Sequence, residues 1–235
     1  MINAFTPAWF DTYLKTYSET VTQLELDFIL RQAPLPAYRV ALDLCCGDGR
    51  LALPLAAHGY QVIGLDRDAR MVAEASARAT DGARFLQGDM RDLGAVPGSF
   101  DVILNMWHSF GYFDPATNAA IVRHIYDKLN PKDRFLLDIY NREWHAQRQG
   151  VETVERDGRA ITTTRAMQGD RLTVRIDYGP DLPPDSFDWQ LYSPDEICAL
   201  AEGIGFRTLV RCTWADERRP ITSSDARMQL VFERD

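Results

Sequence analysis

The sequence predicts an α/β protein in which a doubly wound, mostly parallel sheet carries an inserted antiparallel β lid. Three observations predict it. Between Arg39 and Tyr140, apolar strand-like runs alternate with helix-period segments, the rhythm of a parallel sheet with helical crossovers on both faces. The first strand-to-helix junction is a glycine turn, Gly47-Asp48-Gly49. After Tyr140 the rhythm gives way to short alternating runs, Arg159–Ala166 and Arg171–Tyr178, joined through Gln168-Gly169-Asp170. That pattern is an antiparallel meander with one wet face.

Each element follows in order. Residues 8–33 set Trp9, Phe10, Tyr13, Leu14 and Tyr17, then Leu24, Leu26, Phe28, Ile29 and Leu30, at mixed helical spacing. One or two helices are predicted there, ended by Pro34 and Pro36. Strands are predicted at Arg39–Leu44, Gln61–Asp66, Arg84–Gln87, Asp101–Asn105 and Arg134–Tyr140. Helices are predicted at Arg50–His58, Ala69–Ala79 and Thr117–Leu129, the last stopped by Asn130-Pro131. Beyond the meander, Pro194–Gly203 reads as a helix, and Phe206–Trp214 and Met228–Glu233 as strands that return to the first sheet. Expected domains are an N-terminal helical cap over 1–37, a core over 38–145 and 191–235, and a β insertion over 146–190. The insertion is expected to be a lid or a wall beside a pocket. Its acidic, Pro-rich stretch from Pro180 to Asp188 is expected to be an exposed loop.

The totals exclude several functions. With 235 residues, 46% of them apolar, the chain can bury one sizeable core. A net charge of −8 without a long Lys/Arg run argues against binding a nucleic-acid backbone. No run approaches the roughly 18 apolar residues of a membrane span, and the first residues lack the basic-then-apolar pattern of a secretory signal. The four cysteines (Cys45, Cys46, Cys198, Cys212) form no C-x-x-C pair, and the four histidines are scattered. No metal site is expected, and the thiols are read as reduced, in a cytoplasmic protein.

The glycine turn carries the function. With Ala52 it satisfies the loose G-x-G-x-x-A form of the dinucleotide fingerprint, a weak signal alone. Asp43 at the strand end and Asp48 inside the turn oppose a pyrophosphate at that helix N-terminus and favour a ligand with a cationic part. The next strand ends in Asp66, placed in such sheets to accept the hydroxyls of a ribose, while Asp68 is free to cap the following helix. The third strand ends in Gly88-Asp89-Met90, suited to an exocyclic amine and the face of an adenine.

The order DLCCGDG, LD, GDM, FDVILN, with the later Leu191-Tyr-Ser-Pro-Asp-Glu-Ile and Ala-Glu-Gly-Ile-Gly-Phe, resembles the class I S-adenosylmethionine-dependent methyltransferases, which have a Rossmann-like fold. The resemblance spans most of the chain. It implies a ligand with an ammonium, a sulfonium and a ribose but no phosphate, in agreement with the charge pattern. By this resemblance Gly47, Gly49 and Cys45 line the methionine moiety, with Asp43 near the ammonium. Asp66 holds the ribose with Arg67 and Met71 beside it, Asp89 and Met90 read adenine, and Asn105 and Met106 pass by the sulfonium. Tyr17 of the N-terminal helices touches the cofactor. Cys45 departs from the family, standing where a glycine is common.

Methyl transfer needs alignment more than a fixed motif. The stretch Asn105–Asp114 is aromatic, follows a strand end and contains His108, the candidate base for an acceptor that must lose a proton. Trp107 and Tyr112 are candidate acceptor walls, joined by Tyr13, Tyr140 and Arg142, the last suited to an acidic acceptor or to pairing with Glu143 or Glu152. The expected activity is transfer of a methyl group to N or O of a small molecule by a monomer or homodimer, with no nucleic acid or membrane as partner. Two alternatives stand beside it: a nicotinamide-dependent dehydrogenase, resting on the glycine pattern and Asp66, and a non-catalytic module that only binds S-adenosylmethionine.

Overall fold

The computed structural model describes every residue except 1, 2, 4, 15–17 and 157, together with the side chain of residue 14. Tyr17 therefore lies outside the described residues. The chain runs α1 (Pro7–Trp9), a π-helical turn (Phe10–Leu14), α2 (Glu19–Gln32), β1 (Val40–Leu44), α3 (Ala52–Ala57), β2 (Gln61–Asp66), α4 (Ala69–Ala77), β3 (Ala83–Gln87) and β4 (Phe100–Asn105). It continues with α5 (Pro115–Lys128), β5 (Leu129–Tyr140), α6 (Arg142–Ala146), β6 (Gly150–Arg156), β7 (Arg159–Gln168), β8 (Arg171–Asp177) and β9 (Asp185–Gln190). It closes with α7 (Pro194–Glu202), β10 (Phe206–Cys212) and β11 (Arg227–Arg234).

Two sheets result. The larger is ordered β10-β11-β5-β4-β1-β2-β3, parallel from β3 to β5, with β11 antiparallel to both β5 and β10. The strand order reverses between β1 and β4, where successive crossovers leave on opposite faces and a crevice opens beyond the strands' carboxyl ends. The inner strands β1 and β4 are largely apolar because both faces are covered, whereas the edge strand β3 (ARFLQ) buries only Phe85. Ile121, Val122, Ile125, Ile197 and Cys198 from α5 and α7 fill one face. Leu26, Phe28 and Ile29 of α2, with Leu55 of α3 and Ala75 of α4, fill the other.

The helices begin where the sequence supplies a cap. Asp68 accepts from the N–H groups of Arg70 (2.9 Å) and Met71 (3.4 Å), Asp114 caps α5, and Ser193 with Glu196 forms a capping box on α7. Gly49 shortens the expected helix over 50–58, which starts only at Ala52.

The smaller sheet is the antiparallel meander β6-β7-β8-β9. Leu172, Val174 and Ile176 point inward at period two, joined by Phe187 and Trp189. Residues 180–184 form the expected exposed loop, but its second half is corrected. Asp185–Gln190 is a strand, with Asp185 2% exposed and Phe187 1% exposed. Its acidic residue is tolerated because three donors surround it: the Thr6 N–H (2.9 Å), the Thr6 hydroxyl (2.8 Å) and the Tyr178 hydroxyl (2.7 Å). Asn3 adds a two-way clasp with the backbone of Asp188 (2.9 and 3.0 Å). The N-terminal segment is thus bound to the small sheet, and both cover the crevice. The seam is the backbone bond from the Gln190 N–H to the Gly111 carbonyl, 2.7 Å. A Cβ at Gly111 would collide with the Gln190 carbonyl oxygen.

Candidate functional site

A cavity of about 570 Å³ lies beyond the carboxyl ends of the parallel strands, under the N-terminal segment and the small sheet. One end is acidic and built from strand termini. The other is aromatic and built from the cover.

At the end of β1, Asp43 is 3% exposed, and burial pushes its carboxyl up to about 7 despite the nearby Arg50. The chain then turns. The N–H groups of Cys45 and Cys46 share the Leu65 carbonyl at 2.7 and 3.1 Å. Cys45 takes φ +62°, the conformation that favours the expected glycine, at a cost of order 1 kcal/mol. The two glycines of the turn do different work. At Gly47 (φ +55°) an added Cβ would meet nothing within 4 Å, so the backbone is bare toward the cavity. At Gly49 (φ +84°) a Cβ would stand 3.0 Å from the Phe85 ring and 3.2 Å from Leu53. Gly49 is thus a packing glycine and does not line the cavity.

Asp66, at the end of β2, accepts from the Gly47 N–H on one oxygen and the Asp68 N–H on the other, both at 2.9 Å. Burial lifts its carboxyl above the usual carboxylate range, and these two bonds offset part of the rise. Each oxygen keeps lone-pair capacity for a further donor. Arg67 and Met71 line the cavity beside it. At the end of β3, the bond from Arg91 holds Asp89 below the usual carboxylate range, and Met90 is buried at the cavity wall. Asp48, expected to add to the negative turn, is paired with Arg78 at 2.9 Å, which offsets part of that charge.

At the end of β4, Asn105 is 1% exposed and donates to the Leu44 carbonyl at 3.3 Å. It fastens β4 to β1 and does not line the cavity, whereas Met106, Trp107 and His108 do. Trp107 (φ +62°) and His108 (φ +50°) are both in the left-handed region, an arrangement that persists only when neighbours impose it. Asp138 imposes it. Its carboxylate accepts the Trp107 N–H at 3.2 Å, and its carbonyl accepts the His108 N–H at 2.8 Å. Asp138 is fully buried and held by Arg227 and Gln229. Arg227 also reaches Glu25 at 2.8 Å, which pairs with Arg50 at 2.6 Å. The sequence alone does not show this chain of charges, whose members are up to 202 positions apart.

The imidazole of His108 stacks on Tyr140, ring centroids 4.0 Å apart and planes 11° apart. Burial, then Arg227, His145 and Arg50, hold His108 well below the usual histidine range, so it is neutral at pH 7. Tyr13, Tyr112 and Tyr140 line the cavity as expected. Arg142 does not; it pairs with Glu196 at 2.7 Å, so neither Glu143 nor Glu152 is the partner considered from sequence. The structure adds Phe5, Trp9, Phe187, Trp189 and His145 to the walls. The inward alternation of Leu172, Val174 and Ile176 was the signal for the small sheet's share. Among the described residues no group of three or more His, Cys, Asp or Glu could hold a metal, and no helix is long and apolar enough to cross a membrane.

Comparisons with known proteins bear on the fold and on one domain. Residues 41–132 match a family model described as a methyltransferase domain. A Bacillus subtilis protein named "Putative methyltransferase YqeM" is 28% identical over 113 residues, which cover 47% of this chain and 46% of that protein. The chain spans less than half the length of the curated relatives it matches. The CcbJ methyltransferase from Streptomyces caelestis superposes with a TM-score of 0.80 at 19% identity, covering 95% of both chains. CalS10, an amino pentose methyltransferase from Micromonospora echinaspora, superposes with a TM-score of 0.68 at 21% identity over the full length of both.

Proposed function

We propose that this chain, a class I methyltransferase in its fold and in the domain over residues 41–132, transfers a methyl group from S-adenosylmethionine to a small molecule. The observation that carries the reading is the row of acidic strand ends, Asp43, Asp66 and Asp89, around one bare glycine backbone at Gly47.

The donor set fits that cofactor. A buried carboxyl held at about 7, as Asp43 is, gains most from a cation brought beside it, such as the ammonium of the methionine moiety. The remaining lone pairs of Asp66 accept the ribose hydroxyls. Asp89 and Met90 border the adenine, and Gly47 lets the amino-acid part approach the backbone. When bound, the cofactor supplies a methyl group on a positively charged sulfur, already electrophilic.

The chain's own residues then align, exclude water and move a proton. Trp107 and Met106 hold the acceptor in line beside the methyl group, and the covering segments keep solvent out. With an N–H or O–H acceptor, the methyl group would pass to N or O with the carbon–sulfur bonding pair left on sulfur, and His108, neutral and hence able to take it, receives the acceptor's proton. The small acceptor class is supported by the aromatic cavity and by the net charge of −8, which disfavours a nucleic acid. The amino pentose specificity named for CalS10 is in the same spirit.

Calorimetry with S-adenosylhomocysteine tests the reading: saturable binding at one site per chain is expected, and NADH should not displace it. NADH displacing S-adenosylhomocysteine would favour the dehydrogenase alternative, and no binding at all would refute the cofactor assignment.

A further inference from the structure

The aromatic end of the cavity contains a polar group that the proposed transfer leaves unused. His145 lies on α6, a short helix capped by Asn141, and its side chain lines the cavity. It is 5% exposed, yet neither ring nitrogen has a hydrogen-bond partner among the described residues. A neutral imidazole has one donor and one acceptor, and burying both unmet is costly. Ordinary core histidines are satisfied by the protein around them. This one is held only by rings: Tyr140 edge-on at 4.5 Å and Trp144 edge-on at 4.7 Å.

The surroundings define what it faces. Tyr140 stands between His108 and His145, stacked on the first and edge-on to the second. Trp189 of β9 meets Tyr140 at 5.7 Å and Tyr112 at 5.5 Å. Leu172, Val174 and Ile176 of β8 add an aliphatic wall. The charged neighbours of His145 are Arg165 and Arg148, and together with burial they hold the ring at about 4, neutral in the physiological range. Arg165 is itself paired with Glu152 at 2.9 Å. The acceptor end is therefore walled mostly by rings and aliphatic side chains, with the imidazole of His145 set among them beside Thr163 and the paired Arg165.

We propose that His145 is an acceptor-positioning residue, and that the acceptor is a flat apolar body whose hydroxyl or amine donates a hydrogen bond to it. This rests on the methyltransferase reading, in which His108 serves the reacting atom and His145 anchors the acceptor beside it. The polar group fixes orientation and the aromatic walls supply most of the affinity, the usual division in small-molecule sites. Discrimination against a ring without the donor follows, because that ring leaves the imidazole unpaired.

Phenol, aniline and toluene are the probes, titrated by ligand-observed NMR against the protein saturated with S-adenosylhomocysteine. Phenol or aniline should bind more tightly than toluene by a factor of roughly five to a hundred, the cost of a buried partner left unmet. Whichever of the two binds more tightly tells an anchoring hydroxyl from an anchoring amine. In His145→Phe the ratio to toluene should fall towards one with S-adenosylhomocysteine affinity unchanged, and His145→Gln, which restores an acceptor, should recover part of it. A ratio near one in the wild type, a ratio preserved in His145→Phe, or no binding of any probe would overturn the proposal. If His145→Phe does not fold, the imidazole nitrogen resonances of wild-type His145 decide: phenol should move the unprotonated nitrogen, and no movement refutes the contact. Failure of S-adenosylhomocysteine to bind would count against the cofactor reading alone, since the probe ratio is also measurable in the protein without it.

Discussion

The Gly47 N–H donates to the Asp66 carboxylate at 2.9 Å, tying the bare turn after β1 to the acidic end of β2. The bond sets the carboxylate beside the turn while leaving lone pairs for a ligand. If Asp66 holds the ribose, Asp66→Ala should weaken S-adenosylhomocysteine binding roughly ten- to a hundredfold, the worth of one or two hydrogen bonds to a charged group. Calorimetry reads this directly, and unchanged affinity removes Asp66 from the site.

Asp43 gives that binding a pH dependence with a definite sign. Its carboxyl is held at about 7, so below that pH it carries a proton that an incoming ammonium must displace. Affinity should fall as pH drops from 8 to 6, by at most about tenfold per unit, with proton release near pH 7. Titrations in buffers of differing ionisation enthalpy measure the release. Asp43→Asn should bind more weakly at pH 8 and abolish the dependence.

His108→Ala should lower turnover by roughly two to four orders of magnitude, the usual worth of a general base, with little change in cofactor affinity. A base acts when neutral, and His108 is held well below the usual histidine range. The loss of rate on acidification that it causes should therefore come below pH 6.5. Equal turnover in mutant and wild type would leave His108 a structural residue.

Asp185→Ala removes the acceptor of three hydrogen bonds and should unfasten the N-terminal segment from β9. A loss of about 2–4 kcal/mol is expected, since the Thr6 and Tyr178 donors lose their partner. Denaturant melts report the loss, and limited proteolysis should cut first within residues 3–14. A variant as resistant as wild type would show that the clasp does not hold the cover closed.

Much of this was legible in the chain because period and punctuation act locally. The parallel core followed from apolar runs ending in Asp43, Asp66 and Asp89, and Asp68 was readable as a cap. What stayed hidden depends on contacts distant in sequence. Asp185 reads as loop chemistry, and only its bonds to Thr6 and Tyr178 make it a buried strand residue. Gly49 and Asn105 belong to the motifs, yet one packs on Phe85 and the other fastens two strands. Arg142 sits at the rim in sequence, but Glu196 takes its charge. His145 is one of four scattered histidines in the sequence, and nothing near it there shows that its ring is buried at the cavity without a hydrogen-bond partner.

The most direct measurement is transfer itself. The protein is incubated with an equal mixture of ordinary and deuteromethyl S-adenosylmethionine and a small-molecule extract of its source, and products are searched by mass spectrometry for pairs separated by the label. A pair that forms with wild type and disappears with Asp66→Ala is the predicted result, and its fragments identify the acceptor atom. Across extracts and the phenol and amine probes, the absence of any pair, from a protein that also fails to bind S-adenosylhomocysteine, would contradict the account.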